Sequence, residues 1–388
     1  MRTGAFIIGA SLILCVFVIA CTEEVTVLDY SKVTHIKVTG NQGSTVKYSA
    51  SSLFDSIGTS LIRVNNNSLI SQIDKVFFVD DMMIVVDQRV AKRILAYSKD
   101  GNLLFEFMDV NNAPFSRLGD VIYIKDKGLL EVHDPGRDRI ISYDARTGAM
   151  VKERACKRRF FSFYYLGSNS YAYYTHFNDH SGGKISYNLI IEDSLGHFKK
   201  YLPYYSDEVR PADVALNYRP FSCKSGKYYF APYSSKYIYE ITPNGVIPVV
   251  SLDFGGPSPD VYGGLVKHEE VKKLDSMPQF SGNVFIGKDS SCYFTYFQNN
   301  IMRGFLHSPH RQIAGIQAIQ NDINDVPLHT SFVAQTDSFI VQTIDLEEIN
   351  AAAEQYKYEA KDFYTRMKAI VNKYPSGSFL IQKLYFRL

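Results

Sequence analysis

The stretch Met83-Ile-Val-Val-Asp87, followed after a short polar gap by Arg93-Ile-Leu-Ala-Tyr97-Ser-Lys-Asp100-Gly101, decides the fold, because variants of it return along the chain. Leu129-Leu-Glu-Val-His-Asp134 leads into Arg139-Ile-Ile-Ser-Tyr143-Asp-Ala-Arg-Thr-Gly148. Later copies end in Leu189-Ile-Ile-Glu-Asp-Ser-Leu-Gly196 and Tyr237-Ile-Tyr-Glu-Ile-Thr-Pro-Asn244-Gly245. The closing glycines lie 47, 48 and 49 residues apart. Each apolar run has the length of a strand, and Asp-Gly or Asn-Gly supplies the positive φ that tight hairpin turns need. The unit reads as strand, turn, strand, turn, strand, glycine turn, strand. A repeat of about 40 to 50 residues built from about four short strands is the mark of a β-propeller blade.

Working outward, blades are expected at 69–107, 115–154, 160–204, 219–254 and 282–320, with a last one using 329–344 and closing with 378–388. The count is six, with five and seven as the neighbouring alternatives. The 28 Tyr and 26 Phe suit the space between twisted blade sheets. No apolar period of 3.6 residues runs through 70–340, which excludes helical repeats of similar length, and the units lack the linkers of a sandwich array. The Gly255 to Pro278 stretch between the fourth and fifth blades reads as a long surface insertion.

One segment departs from the β-pattern. Ile349, Ala353, Tyr356, Ala360, Phe363, Met367 and Ile370 alternate spacings of four and three, an apolar stripe down one side of a helix over about 346–373. Asp345 and Glu348 suggest a capping-box start, and Tyr374-Pro375-Ser-Gly377 a stop. The stripe is expected to pack on its own domain, with a coiled-coil dimer as the alternative. The expected fold class is therefore all-β, a six-bladed propeller with a C-terminal helix inserted before the closing strand. Ring closure should bring chain start beside chain end.

At the N-terminus, Arg2 is the only charge before Glu23, and Ala5 to Ala20 form an apolar run ending in Val18-Ile19-Ala20-Cys21. The run is short for a bilayer span and suits the core of a signal peptide. Residues 1–20 are thus expected to be a signal, 21–50 a tether, and 51–388 the propeller. The Val-Ile-Ala-Cys tetrapeptide resembles the lipobox of bacterial lipoproteins, which implies cleavage before Cys21 and lipid attachment to it. Glu23 and Glu24 directly after that cysteine resemble the surface-export signal of Bacteroidetes lipoproteins; a solvated linker is the equal alternative.

The charge balance, 42 Lys+Arg against 40 Asp+Glu, gives no long-range field for gathering DNA or RNA. Beyond Cys21 the chain keeps Cys156, Cys223 and Cys292, an odd number at separations of 67 and 69 residues that match no metal-ligand spacing. They read as buried free thiols in strands.

The repeat features, together with Leu53-Phe-Asp-Ser-Ile-Gly58, Ser68-Leu-Ile-Ser-Gln-Ile-Asp-Lys75 and the ending Asn372-Lys-Tyr-Pro375 to Leu388, resemble the six-bladed β-propeller lipoproteins of Bacteroidetes, which are akin to NHL-repeat propellers. The resemblance implies the fold and an envelope location more than an activity. It also breaks down locally: where the family often carries a Gly-x-Gly-Pro-x-Glu-aromatic loop after the first blade, this chain has Asn111-Asn-Ala-Pro114-Phe-Ser-Arg117.

Candidate chemistry is sparse. No Walker A loop, HExxH, GxSxG or Rossmann glycine pattern in a βαβ context occurs. His176, Asp179 and His180 beside Gly182-Gly183 form the densest polar cluster, read as a hairpin loop rather than a metal site. His307 and His310 score no better. The basic run Lys152 to Arg159 lies between two blades and reads as a solvated connection, or as a contact for an acidic polymer or lipopolysaccharide phosphates. Asp87 and Asp134 recur at equivalent positions, which points to turn capping rather than to a channel cation site. Tyr201 to Tyr205 and Tyr228-Tyr229 are candidates for stacking on sugar rings, most of them expected in the core. No catalytic residue, metal ligand or cofactor is assigned. The expected function is a lipid-anchored outer-membrane module, monomeric, that binds a glycan, peptide or partner envelope protein. The competing expectation is a metal-dependent hydrolase or lyase in the propeller channel.

Overall fold

A computed structural model of the chain describes residues 26, 28–38, 46–64, 70–107, 115–179, 185–205, 207–209, 219–255, 262, 269, 277–287, 291–355, 357, 361–374 and 377–387. Three strands precede the first repeat: β1 (Thr34–Lys37), β2 (Val46–Ser49) and, after the short helix α1 (Ala50–Leu53), β3 (Phe54–Ile62). The repeats then fold as antiparallel sheets in chain order. Blade 1 is β4 (Lys75–Val79), β5 (Met82–Asp87), β6 (Arg93–Ser98) and β7 (Leu103–Glu106). Blade 2 is β8 (Asp120–Ile124), β9 (Leu129–Asp134), β10 (Arg139–Asp144) and β11 (Met150–Ala155). Blade 3 is β12 (Ser162–Tyr165), β13 (Tyr171–Tyr174), β14 (Ile185–Glu192) and β15 (Phe198–Tyr205). Blade 4 is β16 (Phe221–Lys224), β17 (Lys227–Phe230), β18 (Tyr237–Thr242) and β19 (Gly245–Asp253). Blade 5 is β20 (Gln279–Ile286), β21 (Cys292–Gln298), β22 (Ile301–Ser308) and β23 (Arg311–Gln320).

The sixth sheet is composite, ordered β24 (Ala334–Gln335), β25 (Ile340–Asp345), β26 (Phe379–Phe386) and β3. β26 from the chain end pairs antiparallel with β3 from the chain start, Leu380 opposite Leu61 and Leu384 opposite Ile57. This closes the ring. Each of the six blade junctions is filled by its own apolar cluster, from Val86 and Tyr143 between blades 1 and 2 round to Ile381 and Tyr97 between blades 6 and 1. The fold is thus a six-bladed β-propeller.

The glycine turns do more than reverse the chain. Gly101 has φ +79°, and a Cβ there would lie 1.9 Å from the Leu61 carbonyl oxygen of β3, so the blade 1 turn abuts blade 6 with no room for a side chain. Gly148 (φ +71°) meets Phe105 of blade 1 at 2.7 Å in the same way. Gly245 differs from expectation: it already belongs to β19, and the turn is Pro243-Asn244, because the proline ring holds φ near −65°.

The span 21–50, read from sequence as tether, contributes two strands to the rim. β1 adds parallel to β19, with Ile36 opposite Leu252, and β2 adds parallel to β23, with Tyr48 opposite Ile319. The covered outer strands carry few charges, whereas β11 and β15, the uncovered outer strands of blades 2 and 3, carry Lys152, Glu153, Arg154, Lys199, Lys200 and Pro203. Charge and proline on an open edge oppose pairing with another chain.

The single helix expected over 346–373 is a pair, α2 (Leu346–Gln355) and α3 (Lys361–Lys373). Lys368 Nζ stands 2.7 Å from both Glu354 Oε1 and Asn350 Oδ1. One unbroken helix would hold positions 354 and 368 about 21 Å apart, so the chain folds back between them. Asp345 caps α2 by accepting the Glu347 N–H at 2.8 Å. Ile349, Ala353, Met367 and Ile370 are buried against Ile344 and Leu380 of blade 6. The stripe therefore packs on its own domain and is consumed there. Tyr356 and Ala360 lie outside the described residues.

Candidate anion-binding cleft at the blade entrances

β4, β8, β12, β16, β20 and β24 line the central channel, a cavity of about 190 Å³. Its wall is stitched by polar bonds. Lys75 donates to the Asp120 carboxylate and, at 3.1 Å, to the Val121 carbonyl, while Asp120 accepts from Ser162 Oγ at 2.7 Å and Phe163 N–H at 3.0 Å. Blades 1, 2 and 3 are joined through this one carboxylate. Arg219 also lines the channel and donates to the Asp74 carbonyl at 2.8 Å; burial pulls its pKa down to about 10.

A larger cavity, about 640 Å³, opens where the connections into blades 2 and 3 meet the turns between the second and third strands of blades 1 to 3. Five cations line it, Arg89, Lys92, Arg117, Arg158 and Arg159, with the single carboxylate Asp138. Arg89 is neutralised by buried Asp74 at 2.6 Å. Among the described residues the other four meet no carboxylate, and Arg158 lies over the Phe198 ring at 4.0 Å. In a chain with a formal net charge of only +2, five cations against one described carboxylate make this cleft locally electropositive.

The aspartates singled out by recurrence hold the cleft loops in place. Asp87 accepts four backbone N–H bonds, from Ser71, Gln72, Val90 and Ala91, at 2.8 to 3.0 Å. Asp134 accepts from Ser116 Oγ and from the Arg117 and Gly136 N–H groups at 2.7 to 3.2 Å. Both cap turns, and each ties the turn of its blade to the chain entering that blade. Asp134 thereby anchors the backbone of Arg117. His133, also on the cleft wall, is only 1% exposed and stacks on Phe160 at 4.0 Å. Desolvation pulls its pKa down to about 4, with Asp134 opposing and Arg154 and Arg117 assisting, so the imidazole is neutral at physiological pH.

The remaining sequence candidates divide. Arg158 and Arg159 of the basic run enter the cleft, whereas Glu153 pairs with Arg139 at 2.7 Å and Arg154 lies over the Tyr171 ring at 4.6 Å. His176 lines the cleft packed among the rings of Phe161, Tyr174 and Phe177, and the Asp179 carboxylate accepts the Tyr187 N–H. His180, Gly182 and Gly183 lie outside the described residues. Among the described residues no three His, Cys, Asp or Glu side chains cluster as a metal site. Tyr201 and Tyr204 are core residues of β15, and Tyr228 and Tyr229 are half-buried in β17, so this set offers no open stacking platform. Cys156, Cys223 and Cys292 are free; Cys156 and Cys292 are buried, and Cys223 is half-buried on the channel wall. His307, in β22, and His310, in the turn after it, are far along the ring from His176. Cys21, residues 111–114 and most of 255–278 lie outside the described residues.

Sequence reading missed Arg117, Arg89 and Lys92. A signal existed. Arg117, Arg158-Arg159 and Arg219 each stand two to four residues before the channel strand of their blade, so an alignment by blade places them on one rim.

Fold and cleft together define a propeller with an electropositive ligand-sized depression at its blade entrances. The chain belongs to the family described as a domain of unknown function, DUF4934, whose pattern it matches over residues 33–373. Among solved structures it is similar to a Bacteroides fragilis protein described as exported, with 13% identity, 91% of this chain and 99% of that chain covered, and a TM-score of 0.62. It also matches a DUF4221 family member from Bacteroides vulgatus, at 7% identity over 85% of this chain and 97% of that one, TM-score 0.45. No curated protein matches the sequence.

Proposed function

We propose that this protein is a lipid-anchored envelope binding module whose blade-entrance cleft captures an anionic ligand. The observation that carries the reading is the set of four cations, Lys92, Arg117, Arg158 and Arg159, that have no carboxylate partner among the described residues, in a 640 Å³ cavity, a size usual for ligand pockets. Arginine's planar fork suits bidentate contact with carboxylate, sulfate or phosphate groups. The competing reading, a metal-dependent hydrolase or lyase in the channel, is disfavoured by electrostatics. The channel wall presents Lys75 and Arg219 where such a reaction needs convergent carboxylates.

The test is retention of the full chain on an immobilised sulfated polysaccharide. Arg117→Glu with Arg158→Glu should abolish retention at about 0.15 M salt while leaving thermal unfolding nearly unchanged. Equal retention of the double variant contradicts the reading. Anchoring is supported by the Val18-Ile19-Ala20-Cys21 tetrapeptide and has its own test: Cys21→Ala should lose incorporation of labelled palmitate, and labelling that persists excludes Cys21 as the acylated residue.

A further inference from the structure

Accepting the lipid anchor and the anion-binding cleft, we infer that the outer corner of blade 3, the turn and strand start at 193–200 beside Arg158, docks on an anionic lipid surface, the bilayer that carries the anchor. The turn joining β14 to β15 stands clear of the body: a Cβ at Gly196, φ +82°, would meet nothing within 4 Å, whereas the matching Gly101 and Gly148 abut the neighbouring blades. Its tip is apolar. Leu195 is 78% exposed, the most of any large apolar side chain among the described residues, and Phe198, three residues on, is 45% exposed. A lone exposed leucine is ordinary, but this pair sits in a basic surround. Phe198 lies under Arg158 of the cleft wall at 4.0 Å, and Lys157, Arg159 and Lys199 are exposed. Segments 152–159 and 192–200 together hold seven Lys or Arg against three Asp or Glu. Those acids are engaged: Glu153 pairs with Arg139, Glu192 accepts the Tyr173 hydroxyl, and Asp193 accepts the Leu195 and His197 N–H groups at 2.9 Å. Affinity for a bilayer grows with the apolar area inserted and with attraction to anionic headgroups, and this corner supplies both.

Chain length points to the same occupant. Leu28 packs on the apolar cluster that joins blades 3 and 4, to which Tyr201 of β15 belongs, and Tyr30 lies against Tyr237 at 4.6 Å. Seven residue steps separate Leu28 from Cys21, a reach of at most about 25 Å. An acylated Cys21 therefore keeps the blade 3 side of the ring near its own bilayer. A second copy of the chain fits this corner less well, since pairing the corner with itself sets like charge on like.

The chain has no tryptophan, so Leu195→Trp supplies a single fluorescent reporter at the tip. The experiment reconstitutes the acylated full chain carrying this change in vesicles of phosphatidylcholine, with and without phosphatidylglycerol, and reads the emission and its quenching by lipids brominated on their acyl chains. In anionic vesicles the emission should move to shorter wavelength and be quenched, because an indole settles at the membrane interface. Adding Arg158→Glu with Arg159→Glu should return it towards the wavelength seen in water. Ile301→Trp, on blade 5, should emit as in water in both vesicles, and quenching there equal to that at the tip overturns the assignment of this corner. Retention on the sulfated polysaccharide, which reads the cleft, should be unchanged by Leu195→Trp, so loss of the cleft and loss of docking are separable. Protein that floats with anionic vesicles while the tip reporter emits as in water overturns the docking and leaves the anchor standing. Equal quenching at the tip in neutral and anionic vesicles overturns the anionic partner. Protein that floats with neither vesicle overturns anchor and docking together.

Discussion

Asp87 concentrates four backbone N–H bonds on one buried carboxylate. Asp87→Ala strips the acceptor from donors that stay desolvated, and since an unsatisfied buried donor costs about 1 to 3 kcal/mol, a loss of about 3 kcal/mol is expected in urea unfolding. A loss below about 1 kcal/mol contradicts the capping role. This role was legible in the sequence because Asp recurs at the same place in successive repeats. The cleft cations carried a weaker signal: Arg117 and Arg158 recur only as positions shortly before a channel strand, and it is the side-by-side packing of blades 1, 2 and 3 that brings them and Lys92 to one cavity. His133 was equally hidden, since nothing local to Val132-His133-Asp134 announces that Phe160 covers it.

His133 makes stability depend on pH in a defined direction. Its folded pKa, about 4, lies below the ordinary 6.5, so between these values the unfolded chain binds the extra proton. Stability is therefore unaffected by this group above pH 6.5 and falls as pH drops from 6.5 towards 4, by about 3 kcal/mol at 1.36 kcal/mol per tenfold. Between pH 7 and pH 4.5 the urea midpoint of the protein should fall further than that of His133→Leu, because the variant lacks this loss. Parallel pH profiles contradict the assignment.

At the scale of elements, strands and blade boundaries followed from turn chemistry and apolar runs: blades 1 and 4 fall inside the spans expected from the repeat, blades 2, 3 and 5 overrun them by one to three residues, and the sixth sheet also takes in β3, which the repeat did not assign to it. The helical segment shows where such reading runs out. Heptad spacing continued through 346–373, yet the stripe serves a hairpin, because its partner surface is the end of blade 6 where β25 leaves and β26 returns rather than a second helix of another chain. Ile349→Ala and Met367→Ala should each cost about 2 to 4 kcal/mol by opening a cavity under the hairpin. Sedimentation should give the same molecular mass for protein and variants. A dimer that dissociates on either substitution contradicts this packing. β1 and β2 were hidden for a different reason: Thr34-His-Ile-Lys37 and Val46-Lys-Tyr-Ser49 are too short to declare themselves, and they are strands only because β19 and β23 present uncovered outer edges.

For the whole molecule, β26 meets β3 in one sheet, six apolar junctions lock the blades, and one rim carries an electropositive cleft. The overall charge balance concealed that asymmetry, since net charge averages over a surface on which the fold sorts residues. The most direct test of the central claim is hydrogen–deuterium exchange of the full chain with and without a soluble sulfated polysaccharide. Protection is expected in 88–92, 117–119, 133–138, 158–161 and 175–178, and none in the opposite turns at 98–102 and 144–149. Protection confined to those opposite turns, or to the channel strands alone, would contradict the cleft as the binding site.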